Sequence, residues 1–119
     1  MSRPQTHSRL TPQGRAVWLT EELWRAAAGL PTMRVRINAF PELDMDCWFG
    51  DRHAPTIREV AEHARKIHDT DLAYPVILAA DGRLMDGGHR LAKALLLGLE
   101  EIDAVRFEVD PEPDHILPA

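Results

Sequence analysis

The stretch that decides the reading is Pro75–Phe107, PVILAADGRLMDGGHRLAKALLLGLEEIDAVRF. It begins with an apolar run at 76–80, turns at Asp81-Gly82 and returns through 83–85. Asp-Gly supplies the positive φ angles that a two-residue hairpin turn needs. The following apolar run predicts a helix from about His89 to Leu97, with Gly98 as its left-handed stop. Leu91, Leu95, Leu96 and Leu99 are expected to anchor that helix. The segment EEIDAVRFEV then reads as a closing strand, with Val105, Phe107 and Val109 as its expected buried face.

Between hairpin and helix stands Asp86-Gly87-Gly88-His89-Arg90. The first turn of a helix has amide protons without helical partners and a partial positive charge, so it stabilises an anion. Two glycines let the backbone close around such a group. His89 and Arg90 add side-chain donors, and a guanidinium matches phosphate oxygens in two bonds. Asp86 is expected to cap the helix, hold Arg90 or bind a magnesium ion accompanying phosphates. A plain strand–turn–helix connection, with Asp86 as N-cap and Arg90 paired to an acid, satisfies the same local physics.

Outward from this stretch, TIREVAEHARKIHD carries a capping box, Thr56 with Glu59, and predicts a helix lined on one face by Ile57, Val60, Ala61, Ala64 and Ile67. Glu59 and His63, one turn apart on it, read as an exposed salt-bridged face rather than a metal pair. MRVRINAF alternates Met33, Val35 and Ile37 against polar residues, as a half-buried strand does. TEELWRAAAGLP reads as a helix capped by Thr20, with Leu23, Trp24, Ala27 and Leu30 as its apolar stripe. Trp18 and Trp24 read as packing anchors. The acidic, proline-bounded run from Pro41 to Pro55 is long enough to carry function. Within it Glu42, Asp44 and Asp46 are candidate bases, and Asp51, Arg52 and His53 candidate ligand contacts.

These elements predict one α/β (α+β) domain, a small mixed sheet with packed helices. Residues 1–15 read as a flexible arm, 16–110 as the domain and 111–119 as a tail. A chain of 119 residues buries enough surface to need no staple. A single cysteine, Cys47, excludes an internal disulfide framework and suits a reducing, cytoplasmic compartment. No apolar run is long enough to span a membrane, so no membrane partner is expected. The net charge of −5 is uneven: residues 1–40 carry six Arg against two Glu, and residues 41–119 carry eight Lys or Arg against seventeen acids. The basic start leaves DNA as a weak option, since residues 41–119 are net acidic and lack a basic stripe.

The order of elements over residues 33–109, with the Asp-Gly-Gly-His-Arg box opening an Ala- and Leu-rich helix before Leu-Gly and a final strand, resembles the ParB/sulfiredoxin superfamily. Among its members the box is most similar to that of the free serine kinases. The resemblance implies that Asp86, Gly87, Gly88, His89 and Arg90 bind the phosphates of ATP or ADP, with CTP as an alternative and Mg2+ beside them. It further implies phosphoryl transfer to a small hydroxylated molecule, with His89 and an acid of the 41–51 loop in the catalytic set. The sulfiredoxin nucleophile would stand where this chain has Gly88, and Cys47 lies far off in sequence. The DNA-reading module of partition proteins has no counterpart after Arg90. The alternative is a regulatory or protein-interaction module that keeps the fold without the chemistry, docking partners on the acidic loop or the tail.

Overall fold

The structure, a computed structural model, describes residues 5–49 and 54–118. It has mixed α and β content: seven strands in two sheets, and three α-helices, among the described residues. The strands are β1 (Thr6–Thr11), β2 (Gly14–Leu19), β3 (Met33–Arg36), β4 (Val76–Leu78), β5 (Leu84–Asp86), β6 (Glu101–Arg106) and β7 (His115–Leu117). The helices are α1 (Thr20–Ala27), α2 (Ile57–Asp69) and α3 (Gly88–Leu96).

The larger sheet has the order β3-β6-β4-β5. It is mixed: β4 and β6 run parallel, while β3–β6 and β4–β5 are antiparallel. Parallel neighbours need a crossover, and β5 with α3 provides it. The hairpin turn spans three residues, 80–82, rather than the expected two: the Ala79 amide donates to the Arg83 carbonyl at 2.8 Å, the Gly82 amide to the Ala79 carbonyl at 2.9 Å, and of the Asp-Gly pair Gly82 alone takes a positive φ, +90°.

Both faces of this sheet are covered. On one, Ile77, Ala79, Met85, Val105 and Phe107 pack with Ala16 and Trp18 of β2 and Leu23 and Ala27 of α1. On the other, Val76, Leu78, Leu84, Ile102 and Ala104 pack with Leu91 and Ala94 of α3 and with Ile37 and Phe40. The expectation of one buried face for the closing strand is therefore corrected. β6 lies between two neighbours and buries both faces, and Val109 lies beyond it, exposed.

The segments read as arm and tail are corrected too. β1 and β2 form a hairpin, β7 pairs with β2, and together they make the second sheet, in the order β1-β2-β7. Arg9 donates to Asp110 at 2.7 Å, the Trp18 indole donates to the Pro111 carbonyl at 2.8 Å, and the Asp114 amide donates to the Val17 carbonyl. These segments look unstructured in sequence because β1 has a single apolar residue, Leu10, and β7 is only three residues long, while one interior strand, β2, supplies the apolar cover.

Three smaller corrections concern helices. Thr20 is the first residue of α1 and makes no side-chain cap; its amide donates to the Gln5 carbonyl. In α3 only Leu91 and Ala94 are buried, whereas Leu95, Leu96 and Leu99 are exposed, because only one narrow face of that short helix meets the sheet. The capping box of α2 forms in both directions, Glu59 amide to Thr56 Oγ1 at 3.2 Å and Thr56 amide to Glu59 Oε1 at 3.0 Å. Its apolar stripe, however, faces solvent: Ile57 is 91% exposed and Val60 51%. The helix meets the body instead through the row that contains His63 and Ile67, which are half-buried.

Candidate functional site

A cavity of about 550 Å³ lies between the start of β1, the loop at 42–48 and the β5–α3 turn. That volume falls within the range of small-molecule pockets. The turn is built by Gly87, which takes φ +118°. A Cβ there would lie 2.5 Å from Val76 Cγ1, so the position admits glycine for two reasons. Gly87 is the N-cap of α3 and provides no side-chain cap, and Gly87, Gly88 and His89 all line the cavity. The amino end of α3, with its partial positive charge, therefore opens onto it.

Asp86 and Arg90 behave differently from the anion-cradle expectation. Arg90 Nη2 donates to Asp86 Oδ2 at 2.9 Å, and the Trp24 indole donates to the same oxygen at 2.8 Å. The Arg90 guanidinium also stands 5.2 Å from the centroid of the Trp24 ring, within cation–π range. Arg90 does not line the cavity. It ties α3 to α1 through Asp86 and Trp24, so Trp24 is a packing anchor with a polar task. Asp86 neither caps α3 nor commits both oxygens: Oδ1 accepts no hydrogen bond among the described residues.

His89 is joined to a residue that sequence reasoning had placed on an exposed face. His63 Nδ1 and His89 Nε2 share a hydrogen bond of 2.8 Å. Trp48 lies flat over both imidazoles, with centroids 4.7 Å from His89 and 4.9 Å from His63. Phe49 meets His63 edge-on. The Trp48 Nε1 edge stands 3.2 Å from where a Gly88 Cβ would be, so Gly88 leaves room for this indole. Burial, His63, Lys66 and Arg90 lower the His89 pKa to about 4. Burial and Lys66 lower that of His63. Both rings are therefore neutral at pH 7, one donating and the other accepting.

The three candidate bases separate clearly. Glu42 lines the cavity; its Oε2 accepts from the Leu84 amide at 3.1 Å, and its Oε1 is buried without a partner. Asp46 also lines it, but Asp46 Oδ1 accepts from the Trp48 and Phe49 amides and so shapes the loop. Asp44 is exposed and stands away from the cavity wall. Asp51, Arg52 and His53 lie outside the described residues. Lys93 donates to the carbonyls of His68 and Thr70 at 2.8 Å each, closing the end of α2 rather than meeting a ligand.

The fold brings Cys47 to the same cavity despite its distance in sequence. Partial burial and the Glu42 and Asp46 carboxylates push its thiol above the ordinary value, which disfavours the nucleophilic thiolate. The cationic wall consists of Arg9, Lys66 and Arg83. Arg9 pairs with Asp110 and Asp81, and Arg83 with Asp81, whereas Lys66 has no ion-pair partner among the described residues. Arg25 and Arg34, also within the basic first forty residues, are likewise paired to acids. Three of the six early arginines are thus neutralised in place.

Sequence reasoning missed Trp48 and His63. Trp48 belongs to no motif, His63 was read only as part of an exposed face with Glu59, and only tertiary contact makes them a unit with His89. Among the described residues no helix is long and apolar enough to cross a membrane, and no group of three or more His, Cys, Asp or Glu side chains is placed to hold a metal ion. No family model, no curated protein and no solved structure matches the chain.

Proposed function

We propose that this domain binds the phosphates of a nucleotide, ATP or ADP before CTP, at the amino end of α3. One observation carries the reading: an uncapped helix start, at a glycine pair, opens onto a cavity of nucleotide-fitting size with Lys66 on its wall. Anions are stabilised at such a helix end by free amides and by the dipole. The resemblance of the box to the ParB/sulfiredoxin superfamily supports the same ligand class.

In this reading Gly88 and His89 supply backbone donors, and Lys66 supplies a mobile charge. Arg90 acts indirectly, by fixing the turn through Asp86. Asp86 Oδ1 would give one carboxylate oxygen to a magnesium ion, which enters such sites with the phosphates and keeps most of its waters. Were a hydroxylated acceptor to share the cavity, Glu42 is the acid with a spare oxygen on its wall, and phosphoryl transfer would require it to orient that hydroxyl.

Isothermal titration with ATP, ADP and CTP, with and without magnesium, tests the reading. Lys66→Ala is expected to weaken binding about tenfold, as loss of one charge-assisted contact does. Equal affinity for wild type and variant, or no binding of any of the three, would remove it.

A second reading, an interaction module, is favoured by a separate observation. The apolar stripe of α2 and the leucines at the end of α3 face solvent, with Leu96 77% exposed. Exposed apolar patches often mark contact surfaces. This surface is separate from the loop and tail on which docking was expected. Nucleotide binding that survives Ile57→Asp unchanged separates the two surfaces.

A further inference from the structure

The paired imidazoles at the mouth of α3 are not explained by phosphate binding alone. His89 is the second residue of α3 and lines the cavity, while His63 reaches it from α2. Their 2.8 Å contact uses one N–H and one lone pair. Such a pair can take up one proton and keep its bond, because an imidazolium donates more strongly to a neutral ring than an imidazole does. A second proton would break it, since both facing nitrogens would then be donors.

The geometry points to a proton-linked anion site, in which the His63–His89 pair takes up one proton from solvent as the anion settles at the start of α3. This rests on the anion reading above and adds its regulation. An anion beside His89 favours the charged form of the ring. Binding and protonation then strengthen one another, as linkage requires.

The other charges facing the pair set its empty state. From α2 come Lys66, which opposes a proton on either ring, and Glu59 and Glu62, which favour one on His63. From the turn come Arg90, which opposes it, and Asp86, which favours it. From the loop comes Trp48, whose ring covers both imidazoles and excludes water from one side. With the cavity empty these leave His89 neutral down to about pH 4. A bound dianion shifts the balance toward the protonated pair.

Sulfate is the probe, because it keeps both its charges across the range tested and any pH dependence belongs to the protein. Amide shifts of Gly88 and His89, and the imidazole Cε1–H signals, are followed in sulfate titrations of the full chain at pH 5.5 and pH 8. Saturating sulfate is expected to raise the first protonation of the pair by about two pH units, from near 4, and sulfate therefore to bind about fourfold more tightly at pH 5.5 than at pH 8, the same coupling read two ways. His89→Asn should flatten the pH dependence. His63→Phe keeps an aromatic ring under Trp48 but removes the acceptor, and should weaken sulfate binding several-fold at pH 5.5. His63→Asn places an amide oxygen where Nδ1 stood and should restore it. Sulfate affinity that is equal at the two pH values, or imidazole signals unmoved by saturating sulfate, would overturn the inference while leaving the anion site intact. No sulfate or ATP binding at either pH would overturn both.

Discussion

At the scale of single residues, Asp86 is the hinge of the account. Its Oδ2 receives both Trp24 and Arg90, so one carboxylate oxygen joins α1 to α3 across the end of β5. The Arg90–Asp86 pair is largely shielded, with side chains 14% and 18% exposed. Removing one partner of such a pair leaves a poorly solvated charge behind. Arg90→Ala is expected to lower stability by about 1–3 kcal/mol in urea unfolding, below the range for fully buried pairs because some water remains. Gly87→Ala should cost at least as much, from the strained φ and the clash with Val76. The sequence had offered Arg90 as the phosphate fork. Its side chain instead turns to Asp86, four residues back, the pairing that the plain-turn reading had offered beside the ligand.

His89 gives a prediction in pH. Its pKa falls from an ordinary 6.5 to about 4 on folding. A histidine so depressed contributes stability above pH 6.5, where both folded and unfolded forms are neutral. As pH drops from 6.5 toward 4 the unfolded chain takes up the proton first, and that contribution is lost. The urea midpoint should therefore fall across this window, and fall less in His89→Gln. Identical pH slopes for the two proteins would contradict the neutral, stacked pair.

At the scale of elements, α2 separates local physics from tertiary packing. Its capping box and amphipathic spacing were legible, since both depend only on neighbours in the chain. Which face would be buried was not legible. The apolar stripe, Ile57, Val60, Ala61 and Ala64, points outward, and the helix attaches through His63 and Ile67. Ile57→Ser is therefore expected to change stability by no more than about 0.5 kcal/mol, as exposed substitutions do. Leu91→Ala on α3, whose side chain packs under the sheet, should cost about 2–5 kcal/mol. Thermal or urea unfolding of the two variants side by side checks the assignment of faces. The β4–β5 hairpin and the start of α3 were readable for the opposite reason: Asp-Gly and Gly-Gly are backbone requirements that survive any packing.

At the scale of the whole molecule, the second sheet is the part the sequence concealed. β1 has one apolar residue and β7 only three residues in all, too few for a pattern, yet they flank β2, whose Ala16 and Trp18 cover one face of the larger sheet. The contacts that seat them span about the whole chain, Arg9 to Asp110 and Trp18 to Pro111, and such pairings leave no local trace. Deleting residues 110–118 would remove both partners at once. The shortened chain is expected to unfold at lower denaturant with a broader transition, and an unchanged midpoint would show that β7 is an ornament. The same hairpin forms one wall of the cavity, so the site is a product of the entire fold rather than of the box alone.

The central claim is that an anion settles where α3 begins. Backbone amide spectra recorded during titration with ATP and magnesium test it most directly. The account predicts that the Gly88 and His89 amides shift first and furthest, with smaller movements around Trp48. Movement confined to the exposed face of α2 or to the arginines of β1 and β3, with Gly88 and His89 unmoved, would contradict it.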